Sequence, residues 1–279
     1  MSASTLAQTL ASLQTAGLDR LDAQLLLLHV LGQPEHQRGW LLAHDTDVLG
    51  AEHAATLQSL VQRRLLGEPL AYLTGHKEFF GLDLQVDARV LVPRPDTETL
   101  VDWALAVLPQ GEASVLDLGT GSGAIGLSLK AARPALSVYA TDMSHDALVV
   151  ADSNARRLGL NIQFSHGAWL SALPAHTTLF DCIVSNPPYI AQHDSHLSAL
   201  AFEPQQALTS GTDGLDDIRV IVRDATAHLQ LGGWLLLEHG YDQAESVRAL
   251  LLAQGFIDVN SRQDLAGIAR CSGGQKPQG

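Results

Sequence analysis

Asn186-Pro187-Pro188-Tyr189 closes an apolar run over residues 180–185 with one amide, two proline rings and a phenol. Each proline removes a backbone donor and pushes the residue before it toward extended geometry, so the stretch is rich in outward-facing oxygens. The side-chain oxygen of Asn186 and the backbone oxygen of Pro187 can each take one hydrogen of a planar NH2 group, while the ring of Tyr189 covers its face. Such a nitrogen is a poor nucleophile because its lone pair is delocalised. Two aligned acceptors would hold it and aim it, which suits methylation of an amide or aromatic amine by orientation and fixed dipoles, with no metal or covalent intermediate.

A second constellation, Asp117-Leu118-Gly119-Thr120-Gly121-Ser122-Gly123-Ala124-Ile125-Gly126, lies between a short apolar strand and a helix expected over 122–132. Glycines there permit a tight turn and let a ligand approach the backbone at a helix N-terminus. The next strand ends at Asp142, 23 residues after Gly119, where a carboxylate can accept both hydroxyls of an adenosine ribose. Nicotinamide dinucleotides and S-adenosylmethionine share that ribose. Asp117 favours the second, because a carboxylate there repels a pyrophosphate and attracts ammonium and sulfonium charges. Met143 and Trp169 are candidate apolar walls for the adenine.

The elements that must hold these residues follow from the pattern. From residue 113 onward strand-like and helix-like segments alternate, which predicts α/β architecture with a doubly wound, mostly parallel sheet. Counting units makes residues 180–185 the fourth strand, next to the one bearing the glycine turn, so both ends open into one crevice. Upstream, residues 78–92 alternate like a hairpin, and Pro93 to Thr97 open a helix that Asp96 or Thr97 can cap. The first 70 residues carry leucines at helical spacing (Leu6, Leu10, Leu13; Leu21, Leu25, Leu28; Leu57, Leu60, Val61, Leu65), which predicts a small helical bundle. The expected division is a helical substrate-docking domain over 1–74, a β-hairpin linker over 75–95 and a cofactor-binding catalytic domain over 96–279. The closing "GGQKPQG" reads as disordered.

Charge narrows the function. The net charge is −13, and residues 1–75 hold four Arg and no Lys against seven Asp and Glu, so neither half is the basic module that duplex binding needs. The two cysteines, Cys182 and Cys271, read as packing residues, the scattered histidines form no metal spacing, and no apolar run is long enough for a membrane span. A cytoplasmic enzyme without a metal is expected.

"DLGTGSGAIG", "NPPY", the upstream "LVPRPDTE", the downstream "FEP" with "ALTSGTDGLD" and an N-terminal "DAQLLLLHVLG" together resemble the peptide chain release factor N5-glutamine methyltransferases, over almost the whole chain. The resemblance implies a seven-stranded, Rossmann-like class I methyltransferase domain. It also implies S-adenosyl-L-methionine as cofactor, S-adenosyl-L-homocysteine as product, and methyl transfer to the glutamine amide of the Gly-Gly-Gln loop of class I release factors. It carries cofactor contacts onto Gly119, Thr120, Gly121, Ser122, Gly123, Asp142, Trp169 and Asn186, and substrate contacts onto Asn186, Pro187, Pro188 and Tyr189. Arg94, Thr97 and Glu98 would lie on a segment closing near the site, and the helical domain would help hold the release factor. Relatives commonly carry an acid just before the position of Trp169, where this chain has Ala168. The tail's own Gly273-Gly274-Gln275 resembles the substrate motif and is read as coincidence. The alternatives are an adenine amino methyltransferase on DNA or RNA, which shares the Asn-Pro-Pro-Tyr motif, a nicotinamide-dependent oxidoreductase, and a non-catalytic binding module.

Overall fold

The computed structural model describes residues 4–174 and 177–278. The chain divides into two compact units, one ending at His76 and the other starting at Lys77.

The first unit is helical: α1 (Leu6–Thr15), α2 (Arg20–Val30), α3 (Arg38–Ala43), α4 (Ala51–Leu65) and α5 (Leu70–Thr74). Thr5 starts α1 with a reciprocal cap, its hydroxyl accepting from the Gln8 amide while the Gln8 side chain accepts from the Thr5 amide. The core joins Leu6, Ala23, Leu26, Leu27, Leu28, Leu41, Leu57, Leu60 and Val61. Two leucines expected on the inner faces, Leu21 and Leu65, are instead exposed. In a run of four consecutive leucines spacing alone does not select the inward register, and Ala23 with Leu26 and Leu27 turns inward where α2 meets α4.

The hairpin of β1 (His76–Phe79) and β2 (Leu82–Gln85), all but its first residue in the second unit, precedes a seven-stranded sheet. Its strands are β3 (Ser114–Leu118), β4 (Ser137–Asp142), β5 (Gln163–His166), β6 (Phe180–Ser185), β7 (Leu229–Glu238), β8 (Ile257–Gln263) and β9 (Ala269–Gln275), in the order β5-β4-β3-β6-β7-β9-β8. All neighbours from β5 to β7 are parallel, and β9 runs antiparallel to both β7 and β8. The doubly wound reading is therefore correct, including β6 beside β3.

The chain leaves β3 toward one edge and returns at β6 on the other side, which makes the β3/β6 boundary the switch point where such sheets bind ligands. Leu116, Leu118, Ile183, Leu235 and Leu237 meet Ile218, Ile221, Val247 and Leu251 on one face, beneath α9 (Asp216–Ala225) and α10 (Ala244–Ala253). Helices packed on both faces of the sheet explain why β3 and β6, at its centre, are almost continuously apolar. Helices α6 (Glu98–Val107), α7 (Ala124–Ala132) and α8 (His145–Leu158) complete the unit. Ser144 caps α8 by accepting from the Ala147 amide, and Gly159 ends it with φ +67°.

Two expectations fail. Of the closing stretch 273–279 expected to be disordered, Gly273, Gly274 and Gln275 instead end β9, because the small residues fit a crowded sheet centre: a Cβ on Gly273 would stand 2.5 Å from Leu236 Cδ2. Gly273 and Gly274 are buried there, so the tail motif is sheet and not an exposed loop. Nor do Asp96 or Thr97 cap α6. Residues 95–97 form a single tight turn, and the Thr97 hydroxyl is engaged elsewhere.

Candidate active site

The glycine turn is built from its own backbone outward. The Gly119 and Thr120 amides both donate to the Thr141 carbonyl on β4, and Gly119, Gly121 and Gly123 all have positive φ, which non-glycine residues adopt at a cost. Beneath the turn lies Asp117, fully buried on β3. Its Oδ2 accepts from the Thr120 hydroxyl at 2.7 Å and the Gly126 amide at 3.0 Å, while Oδ1 has no hydrogen-bond partner among the described residues. Burial pushes its pKa up to about 6 against the pull of those bonds. Asp142 reaches the turn from β4: Oδ2 accepts from the Gly121 amide at 2.9 Å and Oδ1 from the Ser144 amide at 2.8 Å. Asn154 of α8 is buried behind it, donating to the Ser122 carbonyl and exchanging hydrogen bonds with the Gln85 backbone.

A cavity of about 300 Å³ opens over this turn, lined among others by Gly119, Gly121, Asp142, Met143, Ala168, Trp169, Asn186 and Pro188. Trp169 holds φ +48°, an unusual backbone for so large a residue, with its indole N–H donating to Asp217 Oδ1 at 3.1 Å. Its ring lies against the turn so closely that a Cβ on Gly119 would stand 3.1 Å from Trp169 Cζ3.

A second cavity, of about 320 Å³, is lined by Leu91, Arg94, Asn186, Tyr189, Ile190, Leu200, Ala207 and Leu208. Asn186 belongs to both, with Leu91 and Ala207. Asn186 Nδ2 donates to Thr97 Oγ1 at 3.2 Å. Tyr189 donates its phenol toward Glu238 Oε1 at 3.4 Å, and burial, with Glu238 adding to it, raises its pKa. The Asn-Pro-Pro-Tyr segment is braced by residues 208–214. The Ile190 amide donates to the Leu208 carbonyl and the Ser210 amide to the Ile190 carbonyl, each at 2.9 Å. A Cβ on Gly214 would collide with the Tyr189 carbonyl at 2.2 Å, so only glycine fits there. Glu203, also buried, accepts from the Val92 amide and from Arg94, tying the loop after β6 to the strip before α6.

Gly119, Gly121, Asp142, Met143, Trp169, Asn186 and Pro188 thus meet in the first cavity, and Arg94, Asn186 and Tyr189 in the second. Asp117, Thr120, Ser122 and Gly123 support the turn from behind without lining either. Gly123 begins α7, where a Cβ would meet Leu127 Cδ1 at 2.7 Å. Glu98 faces neither cavity; it accepts from the Phe80 amide at 3.0 Å and anchors the hairpin. Sequence reasoning assigned no role to Arg89 and Asp217, which line the first cavity, or to Glu203 and Glu238, and gave Thr97 no distinct role. Two of them left a signal: Glu203 is the acid of the "FEP" motif, which was given no role, and Glu238 is a carboxylate closing the strand "GWLLLE".

The described residues contain no His, Cys, Asp and Glu cluster suited to a metal and no helix long and apolar enough to cross a membrane. Cys182 and Cys271 are buried, with pKa values pushed up by burial, which leaves them thiols.

Residues 102–212 match the family described as Methyltransferase small domain, and residues 4–75 match the PrmC N-terminal domain. The fold resembles a methyltransferase from Pyrococcus furiosus (TM-score 0.55, 21% identity, 77% of this chain and 97% of that one). It also resembles a Thermus thermophilus 16S rRNA methyltransferase solved with AdoMet and guanosine (TM-score 0.52, 19% identity, 72% of this chain and 49% of that one). The family match, on a doubly wound sheet with a glycine turn at its switch point and a carboxylate ending the neighbouring β4, gives the class: a Rossmann-like methyltransferase.

Within that class the sequence is 52% identical to the release factor glutamine methyltransferase of Bordetella pertussis over 92% of this chain and 95% of the relative. It is 47% identical to that of Coxiella burnetii (90% of each) and 47% identical to that of Pseudomonas aeruginosa (92% of each). The chain belongs to the release factor glutamine methyltransferases.

Proposed function

We propose that this protein transfers the methyl group of S-adenosylmethionine to the side-chain amide of the glutamine in the Gly-Gly-Gln loop of class I release factors. Family membership supports the reaction. The observation that carries the assignment of residues is that Asn186 lines both cavities, so one side chain borders a cofactor and a substrate at once.

The first cavity fits the cofactor. Gly121 has open space where a Cβ would stand, which leaves its backbone accessible to a ligand. Each Asp142 oxygen already accepts one backbone amide and keeps a lone pair for a ribose hydroxyl. Met143 and Trp169 offer apolar surface for the adenine. Ala168 offers no carboxylate to the adenine amino group, whereas Asp217 lines the same space. Bound there, S-adenosylmethionine supplies an electrophilic methyl carbon on a sulfonium.

The second cavity receives the glutamine side chain. Asn186 Oδ1 and the Pro187 carbonyl accept the two amide hydrogens, and Tyr189 packs on the amide plane. Fixing the nitrogen in this way replaces a search over orientations and spares solvent reorganisation, which is where the acceleration arises. The acidic chain and the family together place the adenine alternative second.

Asn186→Ala tests the residue assignment. Turnover on a release factor is expected to fall by about a hundredfold or more, as for loss of a fixed polar group at a reacting centre, while the S-adenosylmethionine Kd measured by calorimetry changes by only a few-fold. Wild-type turnover in this variant would refute the role.

A further inference from the structure

Trp169 has one polar side-chain atom, and it is committed to Asp217: the indole N–H donates to Asp217 Oδ1 at 3.1 Å. Asp217 lines the same cavity as Trp169 and is partly buried. Its backbone is fixed by Ser210, a buried residue whose hydroxyl accepts from the Asp217 amide at 2.8 Å. Oδ2 takes no hydrogen bond from any described residue. Nor does an arginine among the described residues pair with this carboxylate. Arg219 pairs with Asp213 and Asp216, and Arg89, which also lines the cavity, pairs with Asp87. Asp216 thus makes the surface pairing usual for an acid on a helix, and Asp217 beside it is left to the cavity.

An indole N–H lies in the plane of its ring, so the acid that receives it stands at the ring's rim. A planar base laid against the Trp169 face can bring its exocyclic group to that rim. On adenine the group is an NH2, and a carboxylate oxygen can only accept. Ala168, just before Trp169, brings no polar side chain to the cavity. We propose that Asp217 is the specificity-determining residue for the base of the cofactor: Oδ1 sets the Trp169 ring, and Oδ2 accepts a hydrogen of the adenine amino group. The inference rests on the reading of the first cavity as the cofactor's.

The other side chains facing the cavity do not serve this purpose. Asp142 is held on the glycine turn by the Gly121 and Ser144 amides. The Thr209 hydroxyl and the Gln206 amide each offer both a donor and an acceptor, so neither tells an amino group from an oxo group. A carboxylate has no such freedom. It holds a base with NH2 at this position and rejects one with oxygen there, acceptor against acceptor. The consequence of Asp217 is therefore discrimination between amino and oxo purines, which a purely apolar pocket lacks.

The test is calorimetric titration of the full chain with S-adenosylhomocysteine and with its inosine counterpart, in which an oxygen replaces the amino group. Wild type, Asp217→Asn and Asp217→Ala are compared, with melting temperatures measured alongside. Wild type should prefer the adenosine form by about tenfold or more, the effect of one hydrogen bond to a charged group. Asp217→Asn can keep its oxygen on the indole and present its NH2 to the base, so the preference should shrink to parity or reverse. Asp217→Ala should bind the adenosine form more weakly and leave the two forms within a few-fold of each other. A role felt only through the Trp169 ring would weaken both forms alike, and a folded variant that keeps the wild-type ratio overturns the proposal. Equal wild-type affinity for the two forms overturns it without any variant having to fold. The two levels separate in wild type: if both forms bind without preference, this inference alone fails, and if neither binds, the underlying reading of the cavity fails with it.

Discussion

The Gly121 amide donates to Asp142 Oδ2 at 2.9 Å, so the glycine turn after β3 and the carboxylate ending β4 are one unit. Asp142 orders the turn and faces the cavity with the same side chain. Asp142→Ala is therefore expected to raise the S-adenosylmethionine Kd by about thirtyfold or more, the loss of one to two hydrogen bonds to a charged group. Asp142→Asn, which keeps the shape and one acceptor, should fall between. Calorimetric titration measures both, and an unchanged Kd in the alanine variant would remove Asp142 from the cofactor site.

Glu203 tests the brace over the site. Removing it by Glu203→Ala leaves the buried Val92 amide without its acceptor and Arg94 without its partner. A loss of about 1–3 kcal/mol in unfolding free energy is expected, the usual cost of an orphaned buried donor. KM for the release factor should rise as well, because Pro204, Gln206 and Ala207 line the cavities from that loop. Arg94→Ala should cost less stability, since Arg94 is partly exposed and its pairing is screened. Equal stability losses in denaturant melts would contradict this ranking.

Three buried groups give the protein an opposed dependence of stability on pH. Asp117 and Glu238 have folded pKa values raised by burial to about 6 and about 7, so their contributions are fully present below the unfolded carboxylate range and fade as pH rises through those values. His239 runs the other way: burial lowers its pKa, so protonation of the unfolded chain withdraws stability as pH falls below about 6.5. Asp117→Asn should therefore melt at or above wild type at about pH 8 and lose that advantage near pH 4, while His239→Gln should flatten the decline on acidification. A constant offset between Asp117→Asn and wild type at every pH would show that the Asp117 charge is not what burial penalises.

The fold was legible wherever one periodicity dominated. Alternation of strand-like and helix-like segments revealed the parallel sheet, and the glycine turn and Asn186 stood at strand ends as expected. What escaped depended on partners distant in sequence. Glu203 meets Arg94 and Val92 from more than a hundred residues away, and Glu238 reaches Tyr189 across 49. No local pattern encodes such pairs. Glu98 was carried to the site by the family resemblance of "LVPRPDTE", yet one helical position decides whether a carboxylate faces a cavity or the Phe80 amide. The tail failed for the opposite reason: glycine-rich sequence usually signals a loop, but between β7 and β8 small residues are what the space admits.

The most direct measurement is peptide mass mapping of a purified class I release factor after incubation with this protein and isotopically labelled S-adenosylmethionine. One labelled methyl on the side-chain amide of the Gly-Gly-Gln glutamine, absent when Asn186→Ala replaces the wild type, is the predicted result. A release factor left unmodified by protein that binds the cofactor, or label found on any other residue, would contradict it.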